Sequence, residues 1–171
     1  RRLVNSPAAN YRGRFAPSPT GPLHFGSLVA AVASFLNARS SRGAWLVRIE
    51  DLDPPREQPG AADGILRVLE ACGLHWDESV LYQSTRTDRY RDVVQTLVRD
   101  GFAYPCTCSR SDIAQHQANA GAGAGQIYPG LCRSGPRNPG QPSAIRLRAG
   151  DVEIAIEDQI QGHYNQHLPS A

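Results

Sequence analysis

Three cysteines stand close together in this chain. Cys106 and Cys108 are one residue apart, and Cys132 follows with Tyr128 four positions before it. Thiolates are good zinc ligands, and a closed structural zinc site takes four donors, usually Cys and His. The three cysteines leave one place open, and by residue type alone His116 is a candidate for it. The same spacing also suits a redox or a core role. The surrounding stretch from Ser111 to Ser143 is rich in Gly, Ala and Pro and poor in large apolar residues, so it is expected to build no packed core and to be mobile unless tied down. A bound ion would give such a loop a reason to order, in a structural rather than a catalytic role. The fourth cysteine, Cys72 in "LEACGLHW", reads as a core thiol at a helix end.

A second constellation lies in "RFAPSPTGPLHFGSL", Arg14 to Leu28. Pro17 and Pro19 force extended backbone, Thr20-Gly21-Pro22 is a turn, and His24 and Gly26 then stand at the mouth of a helix. A helix N-terminus offers free N–H groups and a partial positive charge, which suit a phosphate. His24 could donate a hydrogen bond to a phosphate oxygen as negative charge develops there. Glycine inside a helix costs about 1 kcal/mol against alanine, so Gly26 makes sense where something flat, such as an adenine ring, must approach the backbone. Taken singly, a histidine here is as readily a cap or a surface residue. The patterns GxxxxGK[ST] and GxGxxG are both absent, so the usual nucleotide signatures do not apply.

The elements that must position these residues follow from periodicity. "YRGRFAPS" begins with a short strand, Leu23 to Arg39 fits a helix buried over much of its circumference, and "AWLVRIE" is a strand. Strand, helix and strand in about forty residues make a βαβ unit, hence a parallel sheet. Helices are expected at Ala62–Ala71, with Gly73 as its stop, and at Thr87–Arg99, with the short strand "VLYQS" between them. "AIRLRAGDVEIAIED" alternates, with a hairpin turn expected at Ala149-Gly150-Asp151. At 171 residues, 40% of them apolar, the chain can bury a core. No run approaches the length of a membrane span, and "RRLVNSPAAN" has no apolar segment behind its arginines, so the expectation is a cytoplasmic protein without membrane partners. The net charge of +2 makes no single-sign field, and all 18 basic residues are arginine.

The motif "APSPTGPLHFGSL" resembles the first signature of class I aminoacyl-tRNA synthetases, the His-Ile-Gly-His motif, with Ser27 where the second histidine would stand. "RFAPSPTGPLHFG" followed by "LVRIEDLDPPRE" is similar to the glutamyl branch. With "GLHWDESVLYQS", "YPCTCSR" and "YPGLCR" added, the chain from Arg12 to Gln166 resembles a shortened paralogue of glutamyl-tRNA synthetase in that family. The resemblance implies an α/β, Rossmann-like catalytic core whose N-terminal half is residues 1–104. It implies a zinc-binding insertion at 105–171, similar to the subdomain that binds the tRNA acceptor end. It implies that Arg14, Phe15, Ala16, Pro17 and Ser18 hold L-glutamate, that Arg14 clamps a carboxylate, and that Glu50 faces the α-ammonium. His24, Gly26 and Ser27 would meet ATP, which comes with Mg2+. Cys106, Cys108, Tyr128 and Cys132 would hold one structural Zn2+. The implied reaction is tRNA-independent activation of glutamate, then its transfer to the queuosine base of tRNA(Asp), by a monomer. Asp51 and Asp53 are expected to fix their loop by pairing with Arg48 or Arg56. The family's second signature, a Lys-Met-Ser-Lys-Ser-like loop, needs lysine, and the chain has none. The expectation is therefore a truncated chain of poor activity. The other readings are a glutamyl-tRNA synthetase fragment and a non-catalytic zinc module that binds tRNA.

Overall fold

The computed structural model describes residues 11–119 and 128–168. The start "RRLVNSPAAN" and the Gly/Ala run at 120–127 lie outside the described residues. The chain divides between Asp88 and Arg89 into two compact units.

In the first unit, β1 (Arg12–Phe15), β2 (Ala44–Ile49) and β3 (Leu81–Tyr82) form a parallel sheet with β2 in the middle. The helices α1 (Phe25–Ser40) and α2 (Ala61–Ala71) make the crossovers between them. The register sets Arg14 beside Leu46 and Arg48 beside Leu81. Strand alternation buries Phe15, Trp45, Val47 and Ile49, and Ile65, Leu69 and Leu74 close over them. Arg12, Arg14 and Arg48 fall on the opposite, less buried positions of the same strands. Trp45 is fully buried. Its ring stacks on Phe15 at 6.4 Å and meets Phe35 edge-on at 5.3 Å, and its Nε1–H donates to Ser34 Oγ at 2.9 Å.

Helix α1 departs from the expected burial. Only Ala31 and Ala38 are buried, while Val29 and Leu36 are more than half exposed. The helix meets the sheet through small residues. A Cβ on Gly13 of β1 would come within 3.1 Å of Ala38 Cβ and 3.3 Å of Ser34 O. That close approach leaves the larger side chains round the rest of the helix. Cys72 also departs from expectation, since it is exposed. It caps α2, donating its N–H to Val68 O at 3.0 Å. The left-handed Gly73 then reverses the chain, and Leu74 enters the core in its place.

Helix α3 (Thr87–Arg99) leads into β4 (Ala103–Cys106). The second unit continues with α4 (Arg110–Asn119), β5 (Ala144–Leu147), β6 (Val152–Asp158) and β7 (Gly162–Leu168). Strands β4 and β5 pair antiparallel, with Tyr104 opposite Arg146 and Cys106 opposite Ala144. The hairpin is not at Ala149-Gly150-Asp151. It joins β6 to β7, and Asp158 Oδ1 accepts the N–H groups of Ile160 and Gln161 at its turn, both at 2.8 Å. Residues 149–151 connect two separate ribbons, because β5 is already paired with β4. The stretch expected to lack order contains α4, which forms by local capping. Ser109 Oγ accepts the Asp112 N–H at 3.1 Å while Asp112 Oδ2 accepts the Ser109 N–H at 2.8 Å. Among the described residues, no helix is long and apolar enough to cross a membrane.

Candidate functional site

In parallel α/β sheets ligands bind beyond the carboxyl ends of the strands. Here Ala16–Ser18 leave β1 and Glu50 leaves β2 at that edge. The two exits are tied together, since the Glu50 N–H donates to Pro17 O at 2.9 Å. Pro19 is buried, and its carbonyl accepts the Gln58 N–H at 2.9 Å, which fixes the loop before α1. A cavity of about 450 Å³ opens here, lined by Phe15, Ala16, Pro17, Ser18, His24, Gly26 and Ser27 among others. His24 is the N-cap of α1. Its Nδ1 accepts the Ser27 N–H at 3.3 Å, and its Nε2 lies 3.1 Å from Ser27 Oγ. With Nδ1 accepting, the neutral ring carries its proton on Nε2. A Cβ at Gly26 would stand 3.2 Å from both Cε1 and Nδ1 of that ring. Gly26 thus leaves room for the imidazole itself, a more local reason than the approach of a ligand.

Arg14 lies on the opposite side of β1 from Phe15. Its Nη1 is 3.8 Å from Glu50 Oε1, and Arg48 donates to the same oxygen. Arg14 and Arg48 line a second cavity of about 490 Å³ with Arg12, Tyr82 and Arg86. The residues expected at one site are therefore divided. Phe15–Ser18 share a cavity with His24, Gly26 and Ser27, Arg14 lines another, and Glu50 is held by two arginines. Sequence reasoning missed Arg48 as the partner of Glu50. Period-two alternation could have found it, since Arg48 shares its face of the sheet with Arg14. Of the expected aspartate pairs, Asp53 meets Arg56 at 2.5 Å. Asp51 instead accepts the Ser84 N–H at 2.9 Å and its hydroxyl at 2.5 Å. Burial pushes the Asp51 carboxyl up, but Ser84 and neighbouring backbone N–H groups outweigh it and hold the pKa below the usual range.

In the second unit the sulfurs of Cys106, Cys108 and Cys132 lie within 4.8 Å of one another. Cys108 and Cys132 are 3.5 Å apart, and Tyr128 Oη is 3.2 Å from Cys106 Sγ and 3.7 Å from Cys108 Sγ. Zn–S bonds of about 2.3 Å set tetrahedral sulfurs about 3.8 Å apart, so this donor set fits zinc. The Cys132 N–H donates to Tyr128 Oη at 2.9 Å and fixes the phenol among the sulfurs. His116 is not in this group. It lines a separate cavity of about 330 Å³ with Cys108, Asp112, Gln115, Arg137 and Asn138. Burial raises the Cys132 thiol, but the backbone N–H groups of Arg137 and Thr107 overcome it, bringing its pKa to about 6. Burial raises the Cys108 thiol and the Tyr128 phenol.

Comparison with known proteins meets this geometry. Residues 10–166 match the family model described as tRNA synthetases class I (E and Q), catalytic domain. The glutamyl-Q tRNA(Asp) synthetase of Dechloromonas aromatica (strain RCB) is 54% identical over 165 residues, which cover 96% of this chain and 54% of that protein. The protein of the same name from Pseudomonas putida (strain F1) is 51% identical over 160 residues, covering 94% and 50%. The chain thus spans about half the length of these curated relatives. Among solved structures, a glutamate tRNA ligase from Elizabethkingia meningosepticum in complex with its amino acid superposes with a TM-score of 0.72 at 26% identity. It covers 94% of this chain and 38% of its own.

Proposed function

Because the chain belongs to the class I tRNA synthetases of the E and Q group and carries their Rossmann-like catalytic fold, we propose that it serves a glutamyl-Q tRNA(Asp) synthetase. Such an enzyme activates L-glutamate with ATP and passes the glutamyl group to the queuosine base of tRNA(Asp). The observation that carries this reading is the His24–Ser27 pair over Gly26, at the mouth of α1, on the same cavity as Ala16–Ser18.

In activation, a glutamate carboxylate oxygen forms a bond to the α-phosphorus of ATP, and the bond to the pyrophosphate oxygen breaks. His24 Nε2–H, exchanging Ser27 Oγ for a phosphate oxygen, would donate to it as charge builds there, while the Ser27 N–H on Nδ1 sets the tautomer. Arg14 would read a carboxylate of glutamate through its planar fork, which requires glutamate to reach toward the second cavity that Arg14 lines. Glu50, steadied by Arg48, faces the α-ammonium. Mg2+, when bound with ATP, would offset phosphate charge. Cys106, Cys108, Tyr128 and Cys132 would hold zinc, which ties β4 to the 128–132 segment within the insertion at 105–171 and takes no part in the reaction.

The test is glutamate-dependent ATP–pyrophosphate exchange without tRNA by the protein that carries this chain, then mapping of labelled glutamate on queuosine-containing tRNA(Asp). Attachment in the anticodon is expected. Attachment at the 3′ end, or exchange that needs tRNA, would assign the chain to a glutamyl-tRNA synthetase. His24→Ala should lower exchange kcat by about 10²–10³-fold, and unchanged exchange would remove His24 from the site.

A further inference from the structure

Arg146 sits on β5 directly opposite Tyr104 of β4, two register steps from the Cys106–Ala144 pair and so on the same face of the ribbon as Cys106. Its guanidinium lies over the Tyr128 ring, 3.9 Å from the centroid, on the face of the ribbon that Tyr104 and Cys106 share. Its Nε is buried with no hydrogen-bond partner, and among the described residues no carboxylate forms an ion pair with it. An arginine held half-buried without an acidic partner is costly unless another negative charge faces it. On its own face of the ribbon the candidate for that charge is the Cys106 sulfur. Three thiolates outweigh one divalent cation by one negative charge, even with Tyr128 counted as a neutral phenol. Arg146 carries a positive charge that would cancel this excess.

We propose that Arg146 is a positioning residue for the cysteine cluster, holding the Tyr128 ring by stacking and neutralising the Cys106 thiolate when zinc is bound. This rests on the zinc reading above. Arg148, just beyond the end of β5, supplies an internal contrast. It stacks on Tyr104 at 4.9 Å and donates to Arg133 O at 2.6 Å, so it has the same side chain and the same kind of ring contact without the sulfur.

The experiment compares wild type, R146Q, R146K and R148Q by zinc affinity in chelator competition, and by the thiolate-to-metal absorption band after loading with Co2+. R146Q should bind zinc about 10–100-fold more weakly. Its absorption band should move to longer wavelength, because a thiolate stripped of its cation gives up an electron more easily. R146K keeps the charge without the planar stack and should fall between R146Q and wild type. R148Q should match wild type in both readings. Wild-type affinity and an unshifted band in R146Q overturn the proposal, and so does an equal loss in R148Q. Should R146Q fail to fold, R146K decides: affinity near wild type supports the charge role, and a loss matching that of a Cys106→Ser variant overturns it. A wild-type chain that binds no zinc ends the metal reading itself, and this inference with it.

Discussion

The first unit closes on Trp45, Ile49, Ile65 and Leu69, each at 1% exposure or less. In the second unit the fully buried side chains of comparable rank are Cys106 and Cys132. The same unit leaves Val152, Ile154 and Ile156 of β6 more than two-fifths exposed. Apolar burial is worth about 25 cal/mol per Å², and large side chains hidden on one face of β2 let the first unit use it. The second hides mainly polarizable sulfur and a phenol, around donor atoms spaced as a metal requires. The difference teaches that two parts of one chain can be held by unlike forces, and each should then respond to a perturbation the other ignores.

Metal removal should break the comparison most visibly. Apparent binding free energies of structural zinc are on the order of 10 kcal/mol, more than any single apolar contact here can supply. Chelation, or Cys132→Ser, should abolish hydrogen-exchange protection at residues 103–106 and 144–147 and leave protection at 12–15 and 44–49 unchanged. Readdition of zinc should restore the chelated chain. Protection at 103–106 that survives chelation would show that the β4–β5 pair stands without metal.

The converse perturbation is smaller. Trp45→Ala removes the ring that Phe15, Phe35 and Ser34 all meet, and should cost the first unit about 3–5 kcal/mol. Denaturant unfolding followed by exchange at 44–49 reads that loss, while zinc stoichiometry should stay at its wild-type value. A Trp45→Ala chain that loses zinc along with its sheet would mean that the two units do not respond separately.

The sequence disclosed most where local chemistry decides the outcome. The bounds of α3, Thr87–Arg99, were readable in the sequence, and the His24–Gly26 mouth from residue type. The joining of Cys106, Cys108 and Cys132 was legible from spacing, whereas Tyr128 in place of His116 came only from resemblance, since a phenol is an uncommon ligand. What stayed hidden depends on which face or which strand comes next. The burial of α1 was misread because its contact is made by Ala31, Ser34 and Ala38, and size weighs more than smallness in a hydrophobic pattern. Cys72 was misread because one left-handed residue, Gly73, turns the chain just beyond it. The hairpin was misplaced because Gly150 is a good turn residue, and nothing local reveals that β5 pairs backwards with β4. The pairing of Arg48 with Glu50 stayed hidden because Asp51 and Asp53 also stand close to Arg48 in the chain.

The smallest expected effect tests the polar fastening of the first unit. Asp77 accepts from Arg39 Nη1 and from the Trp45 N–H, both at 2.6 Å, and so pins the segment after α2 to the start of β2. Arg39, and next the Trp45 amide, hold its carboxyl below the usual carboxylate range against a weaker opposing effect of burial. The folded state therefore binds a proton less readily than the unfolded chain. The resulting stability is fully present above the unfolded pKa of about 4 and fades as pH falls through the lower, folded value. With the Asp77 side chain 38% exposed, solvent screens the pair, and Asp77→Asn should cost about 1 kcal/mol near neutral pH. Denaturant midpoints of the first unit, compared between wild type and D77N, should converge as the pH is lowered, because the asparagine has no proton to gain. A gap that stays constant into acid would mean that the carboxylate charge contributes nothing and that the hydrogen-bond geometry alone holds the segment.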